Sequence, residues 1–278
     1  MSKSVPVKVA ILDLYNNIPN QGMRGIQEIL TAFGRTLPQG LEYKVYETRY
    51  RDEVPSLDYD VFISTGGPGS PYDGEGLAWE HDYFNWLENL WNFNERNRDV
   101  KKHAFFICHS FQMVCRYFQM AEVTKRRSTS FGIFPTHKTE AGEKDILFRN
   151  LPEPFYVADF RDWQAVQPNQ ARLDELGASV LCLEKIRPHV EYERAVMAIR
   201  MSDEMVATQF HPEADPKGMS VHFSHPEKQM QVIIDHGQEK YNDMIEHLST
   251  ADRIPLTHET ILPTFLAEAT RKKQMIEA

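Results

Sequence analysis

Phe105-Phe106-Ile107-Cys108-His109-Ser110-Phe111-Gln112 is an apolar run that ends in cysteine and passes at once into a segment able to start a helix. That order predicts a buried strand over 103–107, a sharp turn at Cys108 and a helix over 110–119. A thiol on such a turn faces a cleft rather than the core. The helix N-terminus favours thiolate over thiol, and a neighbouring imidazolium would add to the effect.

Toward the N-terminus, residues 7–12 read as a first strand, and residues 24–33 carry helical apolar spacing at Ile26, Ile29, Leu30 and Phe33. Strands follow near 43–47 and 59–64, the latter running into Thr65-Gly66-Gly67-Pro68-Gly69-Ser70-Pro71. Residues 79–97, with Tyr83, Trp86, Leu87, Leu90 and Trp91 at helical spacing, predict a long amphipathic helix. Alternation of this kind predicts a parallel sheet covered by helices on both faces. After Glu122 the pattern changes to short, mostly antiparallel strands over 131–136, 154–158, 178–183 and 195–199. A last strand over 205–210 delivers His211 at its C-terminal end, the edge where open α/β sheets bind ligands. Helices are predicted over 226–248 and 260–276, with Pro263 in the first turn of the second.

Of the 278 residues, 41% are hydrophobic and 26% charged, the balance of an ordinary globular protein. A net charge of −9 excludes a phosphate-binding surface and with it a nucleic-acid partner. The main basic cluster, Lys125-Arg126-Arg127, reads as a solvated loop. No apolar run reaches bilayer length and no signal peptide precedes the strand at Val7, so a cytoplasmic protein without a membrane partner is expected. Three cysteines without metal-ligand spacing predict neither a disulfide framework nor a metal site, and Cys115 and Cys182 read as small buried hydrophobes.

The glycine-rich loop, Cys108 and Gln209-Phe210-His211-Pro212-Glu213 occur in that order, each at a strand end, and at separations that resemble the class I glutamine amidotransferase family, in the manner of a standalone GMP synthase glutaminase domain. The resemblance spans roughly residues 7–218. It implies a three-layer, flavodoxin-like α/β fold with a mixed, mainly parallel central sheet. Residues 1–218 would form the amidotransferase-like domain, and 219–278 a C-terminal helical extension packed on it.

The resemblance makes Cys108 the nucleophile, His211 the general base and later acid, and Glu213 the carboxylate that orients the imidazole. The backbone N–H groups of Gly67 and His109 would form the oxyanion hole, and Gly66, Gly67 and Gln112 would contact substrate. The implied reaction cleaves a γ-glutamyl amide, glutamine to glutamate and ammonia, through a glutamyl thioester without a cofactor. Two other functions fit the same residues: a γ-glutamyl peptidase or hydrolase acting on a larger conjugate, and a non-catalytic ligand- or partner-binding protein of the same fold.

No synthetase or acceptor domain is expected to follow, so any ammonia would be used by a separate synthetase or acceptor subunit or simply lost. The C-terminal helices either cover the sheet or form an interface for a homo-oligomer or partner. A second tripeptide, His225-Pro226-Glu227, follows no buried strand and is read as the start of a helix. Family elbows carry glycine two residues before and after the cysteine, where this chain has Phe106 and Ser110. The family's extra histidine-containing motif has no histidine here, near Arg161-Asp162-Trp163. Asp13, Tyr15 and Asn16 follow the first strand at the ligand-binding edge, where substrate contact and a solvated loop both fit.

Overall fold

The computed structural model describes residues 5–186, 194–250 and 252–276. In chain order these form β1 (Val7–Leu12), α1 (Gln21–Gly34), β2 (Leu41–Tyr46), α2 (Thr48–Arg51), β3 (Val61–Ser64), α3 (Ala78–Arg96), β4 (His103–Ile107) and α4 (His109–Phe118). There follow β5 (Glu122–Lys138), α5 (Glu140–Lys144), β6 (Phe155–Val166), α6 (Gln170–Leu176), β7 (Ser179–Glu184), β8 (Val196–Arg200) and β9 (Met205–Thr208). The chain closes with α7 (Pro216–Ser224), α8 (Pro226–His236), α9 (Gln238–Ser249) and α10 (Ile254–Ile276).

One sheet runs in the order β2-β1-β3-β4-β9-β8-β6-β5-β7. From β2 to β9 the pairing is parallel, and alternate side chains feed two cores. Val9 and Ile11 of β1, Ile63 of β3 and Phe105 and Ile107 of β4 meet Ile26 and Leu30 of α1 and Ile261 and Phe265 of α10. The opposite residues, including Leu12, Phe62 and Phe106, meet Trp79, Tyr83 and Trp86 of α3 and Phe111 of α4. Helices thus cover this half on both faces, which is why its inner strands β1, β3, β4 and β9 are largely apolar, while the edge strand β2 exposes Glu42 and Lys44.

The other half is antiparallel, as expected after Glu122, but it is large enough that the sheet as a whole is not mainly parallel. Among the described residues four strand pairings are parallel and five antiparallel. Because β7 pairs with β8 as well as β5, strands β5 to β8 close on themselves as an antiparallel barrel. Charged side chains inside the ring explain why the sequence hides it. Arg161 and Asp159 of β6 pair at 2.9 Å, and Arg126 of β5 pairs with Glu184 of β7 at 3.1 Å, all four side chains being buried. The Lys125-Arg126-Arg127 cluster is therefore part of a strand, and its middle residue points inward rather than into solvent. Both β5 and β6 extend beyond the apolar segments expected for them.

The C-terminal helices also differ from expectation. Gly237, at φ +88°, divides the long helix into α8 and α9. Helix α10 begins six residues earlier than predicted, so Pro263 lies inside it instead of in its first turn. Pro226 and Glu227 do occupy the first turn of α8. Helix α7 straddles the boundary expected at 218/219; Met219 and Phe223 from it, Val232, Met244 and Leu248 form a third apolar cluster against Ile133 and Ala158. Among the described residues no helix is long and apolar enough to cross a membrane.

Candidate active site

Strand β4 ends at Ile107 and helix α4 begins at His109, leaving Cys108 as the whole connection. The turn forces Cys108 to φ +51°, ψ −97°. A non-glycine residue with positive φ costs of order 1–3 kcal/mol, so the surroundings must over-determine it. They do: the Cys108 N–H donates to the Thr208 carbonyl at 2.7 Å, and its carbonyl accepts from Gln112 N–H at 3.0 Å. Ser110, where glycine was expected, uses its hydroxyl to accept from Ile107 N–H at 2.7 Å and donate to the Ser64 carbonyl at 2.8 Å, stitching the elbow to β3. Phe106 does not crowd the turn, because strand alternation sends its ring to the α3 side against Trp86.

His211 lies just beyond β9 and is held by its own N–H, which donates to the Ala158 carbonyl of β6 at 2.9 Å. Its Nδ1 meets Glu213 Oε1 at 2.8 Å, and the Cys108 sulfur lies beside the ring, its thiol donating to the Phe160 carbonyl at 3.8 Å. With Nδ1 engaged, Nε2 is the nitrogen left for the sulfur. Burial by itself would lower the pKa of His211. The Glu213 carboxylate and the Cys108 sulfur outweigh burial and hold it well above its ordinary 6.5.

Glu213 is itself buried, at the first turn of α1. Gly22 admits it: a Cβ there would come within 2.9 Å of Glu213 Oε1, and one at Gly25 would collide with the Glu213 carbonyl. The positive end of the helix complements the carboxylate.

Gly66 and Gly67 lie where the backbone must pass close to other groups. A Cβ at Gly66 would fall 2.9 Å from His211 Cε1, and one at Gly67 would run into the Leu14 carbonyl. The loop they begin is clamped by two arginines. Arg49 of α2 donates to the Pro68 carbonyl at 2.5 Å and pairs with Asp73. Arg116 of α4 donates to the Pro71 carbonyl and pairs with Glu75 and Glu80. His109 opens α4, so its N–H belongs to the first-turn donors that no intrahelical carbonyl accepts. Its ring is buried, and burial, with Arg49 and Arg116 nearby, pushes its pKa down to about 3. It stays neutral and offers no competing base.

A cavity of about 300 Å³ opens at this edge. Of the residues expected to act here, Cys108, Gly67, His211 and Glu213 line it, and Gly66 lies beside His211 and Cys108. Gln112 is buried, and its Nε2 donates to the Trp163 carbonyl and to Gln209 Oε1, both at 3.2 Å. Gln209 in turn aims its Nε2 at the Cys108 sulfur, 3.7 Å away.

Sequence reasoning passed over Gln209. It stands in the bend between the end of β9 and His211, where no local periodicity sets its direction. Tyr15 lines the cavity, and burial pushes its phenol well above the usual range, with Glu213, Cys108 and Asp13 beside it adding to the effect. Asp13 accepts the Tyr15 N–H at 2.7 Å, and Asn16 is exposed. Cys115 and Cys182 are fully buried, which pushes both thiols upward and keeps them protonated. Among the described residues no group of three His, Cys, Asp or Glu side chains is arranged to hold a metal ion.

Comparison with known proteins agrees with this geometry. The family model for glutamine amidotransferase class-I matches residues 25–227. A glutamine amidotransferase from Thermotoga maritima superposes with a TM-score of 0.66 at 16% identity, covering 95% of this chain and 97% of that one. One from Methylobacillus flagellatus gives 0.65 at 14% identity, with 97% and 96% covered. The glutaminase domain of CTPS from Trypanosoma brucei, with acivicin bound, gives 0.57 at 12% identity, with 96% and 94% covered. At these identities the structures are alike in fold. No curated protein matches the sequence.

Proposed function

The chain belongs to the class I glutamine amidotransferase family, and on that premise we propose that it hydrolyses a γ-glutamyl amide, glutamine to glutamate and ammonia in the simplest case, through Cys108, His211 and Glu213. The observation that carries this reading is the His211–Glu213 pair, its carboxylate buried, standing at the cavity wall beside the Cys108 sulfur. His211 takes the thiol proton, and the thiolate attacks the γ-carbonyl to form a C–S bond. The carbonyl oxygen, now negative, is met by the N–H groups of Gly67 and His109. As the C–N bond breaks, the imidazolium returns its proton to the departing nitrogen. Water, deprotonated by His211, then attacks the thioester to release glutamate and restore the thiol.

Glu213 stabilises the imidazolium throughout, and Gly66 and Gly67 border the substrate. Gln112 acts one step back, steadying Gln209 so that its amide faces the sulfur. Any ammonia released is taken up by a separate acceptor subunit.

The test is intact mass after incubation with acivicin, the compound bound in the trypanosomal glutaminase domain, or with a diazo-ketone analogue of glutamine. One adduct that needs both Cys108 and native folding is expected. Alongside it, Cys108→Ala should lower γ-glutamyl amide hydrolysis by at least about 10³-fold. Hydrolysis that survives this substitution unchanged would remove the mechanism.

A further inference from the structure

The cavity, at about 300 Å³, lies at the lower end of the range of roughly 300–1,000 Å³ typical of organic-ligand sites and holds the γ-glutamyl group together with whatever leaves from it. Its shape follows from the proton transfer. The nitrogen that leaves must face His211, so any substituent on it extends along the wall on the His211 side. That wall is apolar. Phe160 lies 5.9 Å from the His211 ring, between centroids, and packs at 5.0 Å against Phe131 and 6.1 Å against Phe223; Met219 completes the surface from α7. The charged groups that border the cavity are already committed. Glu213 holds His211, while Arg24 and Asp215 hold each other. Arg24 is further bound to Gln21 and Glu28, and Asp215 caps α7 through the Gly218 N–H.

We propose that this wall is a leaving-group subsite for an apolar amine, so that the preferred substrate is a γ-glutamyl amide of a branched aliphatic or aromatic amine rather than glutamine. The inference rests on the hydrolase reading above. The balance is the same: the amide and one water give glutamate and the free amine, whose proton comes from His211. An apolar substituent gains by leaving water for the phenylalanine cluster, whereas a charged one loses hydration without finding a free partner.

The experiment compares kcat/KM for glutamine with that for γ-glutamyl isopentylamide, the γ-glutamyl amide of diaminobutane and γ-glutamylglycine. Alkylamides are chosen over an anilide so that leaving-group reactivity does not mimic recognition. The isopentylamide is expected to exceed each of the others by about tenfold or more. Met219→Gln should cut the ratio of isopentylamide to glutamine by about tenfold; if that variant does not fold, Phe131→Ser serves as the second probe of the same wall. Glutamine or a charged amide used as well as the isopentylamide would overturn the subsite.

A second readout separates this inference from its premise. The rate at which iodoacetamide alkylates Cys108 is measured with isopentylamide or glutamine present. Stronger protection by the isopentylamide without any hydrolysis would retain the subsite and defeat the hydrolase reading. Hydrolysis with no preference and equal protection would do the reverse.

Discussion

The two halves of the sheet solve burial in opposite ways. The parallel strands β1, β3, β4 and β9 are rich in buried apolar side chains and sandwiched between helices, and just past their C-terminal ends stand Gly66, Cys108 and His211. From β8 to β7, antiparallel strands enclose a buried ionic network of Arg126, Asp159, Arg161 and Glu184. On the proposed mechanism the first half aims the reacting groups. The second supplies Ala158 to hold His211, and Phe131 and Phe160 to wall the cavity. Chemistry and ligand contact are thus divided between a hydrophobic frame and an electrostatically tied ring.

The largest effect that would probe this division comes from Glu213→Gln. Turnover should fall by about 10²–10⁴-fold, since the imidazole loses both its orienting acceptor and its counter-charge. Removing the carboxylate also lowers the pKa of His211, so alkylation of Cys108 by iodoacetamide near neutral pH should slow; an unchanged rate would separate the thiol from the pair. The sign for stability follows from the raised folded pKa of His211. Its contribution is fully present below the unfolded value of about 6.5 and is lost as pH rises through the folded value. The stability gap between wild type and Glu213→Gln should therefore narrow above neutral pH in urea titrations.

Next in size is Arg161→Met in the antiparallel ring. It strands Asp159 without its partner and should cost about 3–5 kcal/mol in urea unfolding. Ser110→Ala, at the junction of β3 and the elbow, should cost about 1–3 kcal/mol and slow Cys108 alkylation, because the buried Ile107 N–H loses its acceptor. Ile11→Val in the parallel half should cost only about 0.5–1.5 kcal/mol. If Ile11→Val proved the more damaging of the stability variants, the contrast between an ion-tied ring and a hydrophobic frame would collapse.

The parallel half was legible because a strand buried on both faces writes itself as an uninterrupted apolar run, as in Val61–Ser64 and His103–Ile107. The barrel was not. Arg126, Asp159 and Arg161 spell solvent in any reading that lacks their partners, and only pairing across strands, in Arg126 with Glu184, turns them into an interior. Pro263 misled for a related reason: local rules put it at a helix start, whereas α10 continues through it with Ile261, Leu262, Phe265 and Leu266 buried against the sheet.

For the site, order and spacing along the chain sufficed to nominate Cys108, Gly67, His211 and Glu213, because each stands at or just after the end of a recognisable strand. The sequence could not say that Gln112 turns its amide to Trp163 and Gln209, that Gly22 and Gly25 make room for Glu213, or that Phe131, Phe160 and Phe223 gather beside His211. Local pattern determines which residues leave a strand and on which face. Which distant side chains meet there depends on how β5, β6 and α7 close over the edge, and that is settled only when long-range packing and ion pairing are satisfied together.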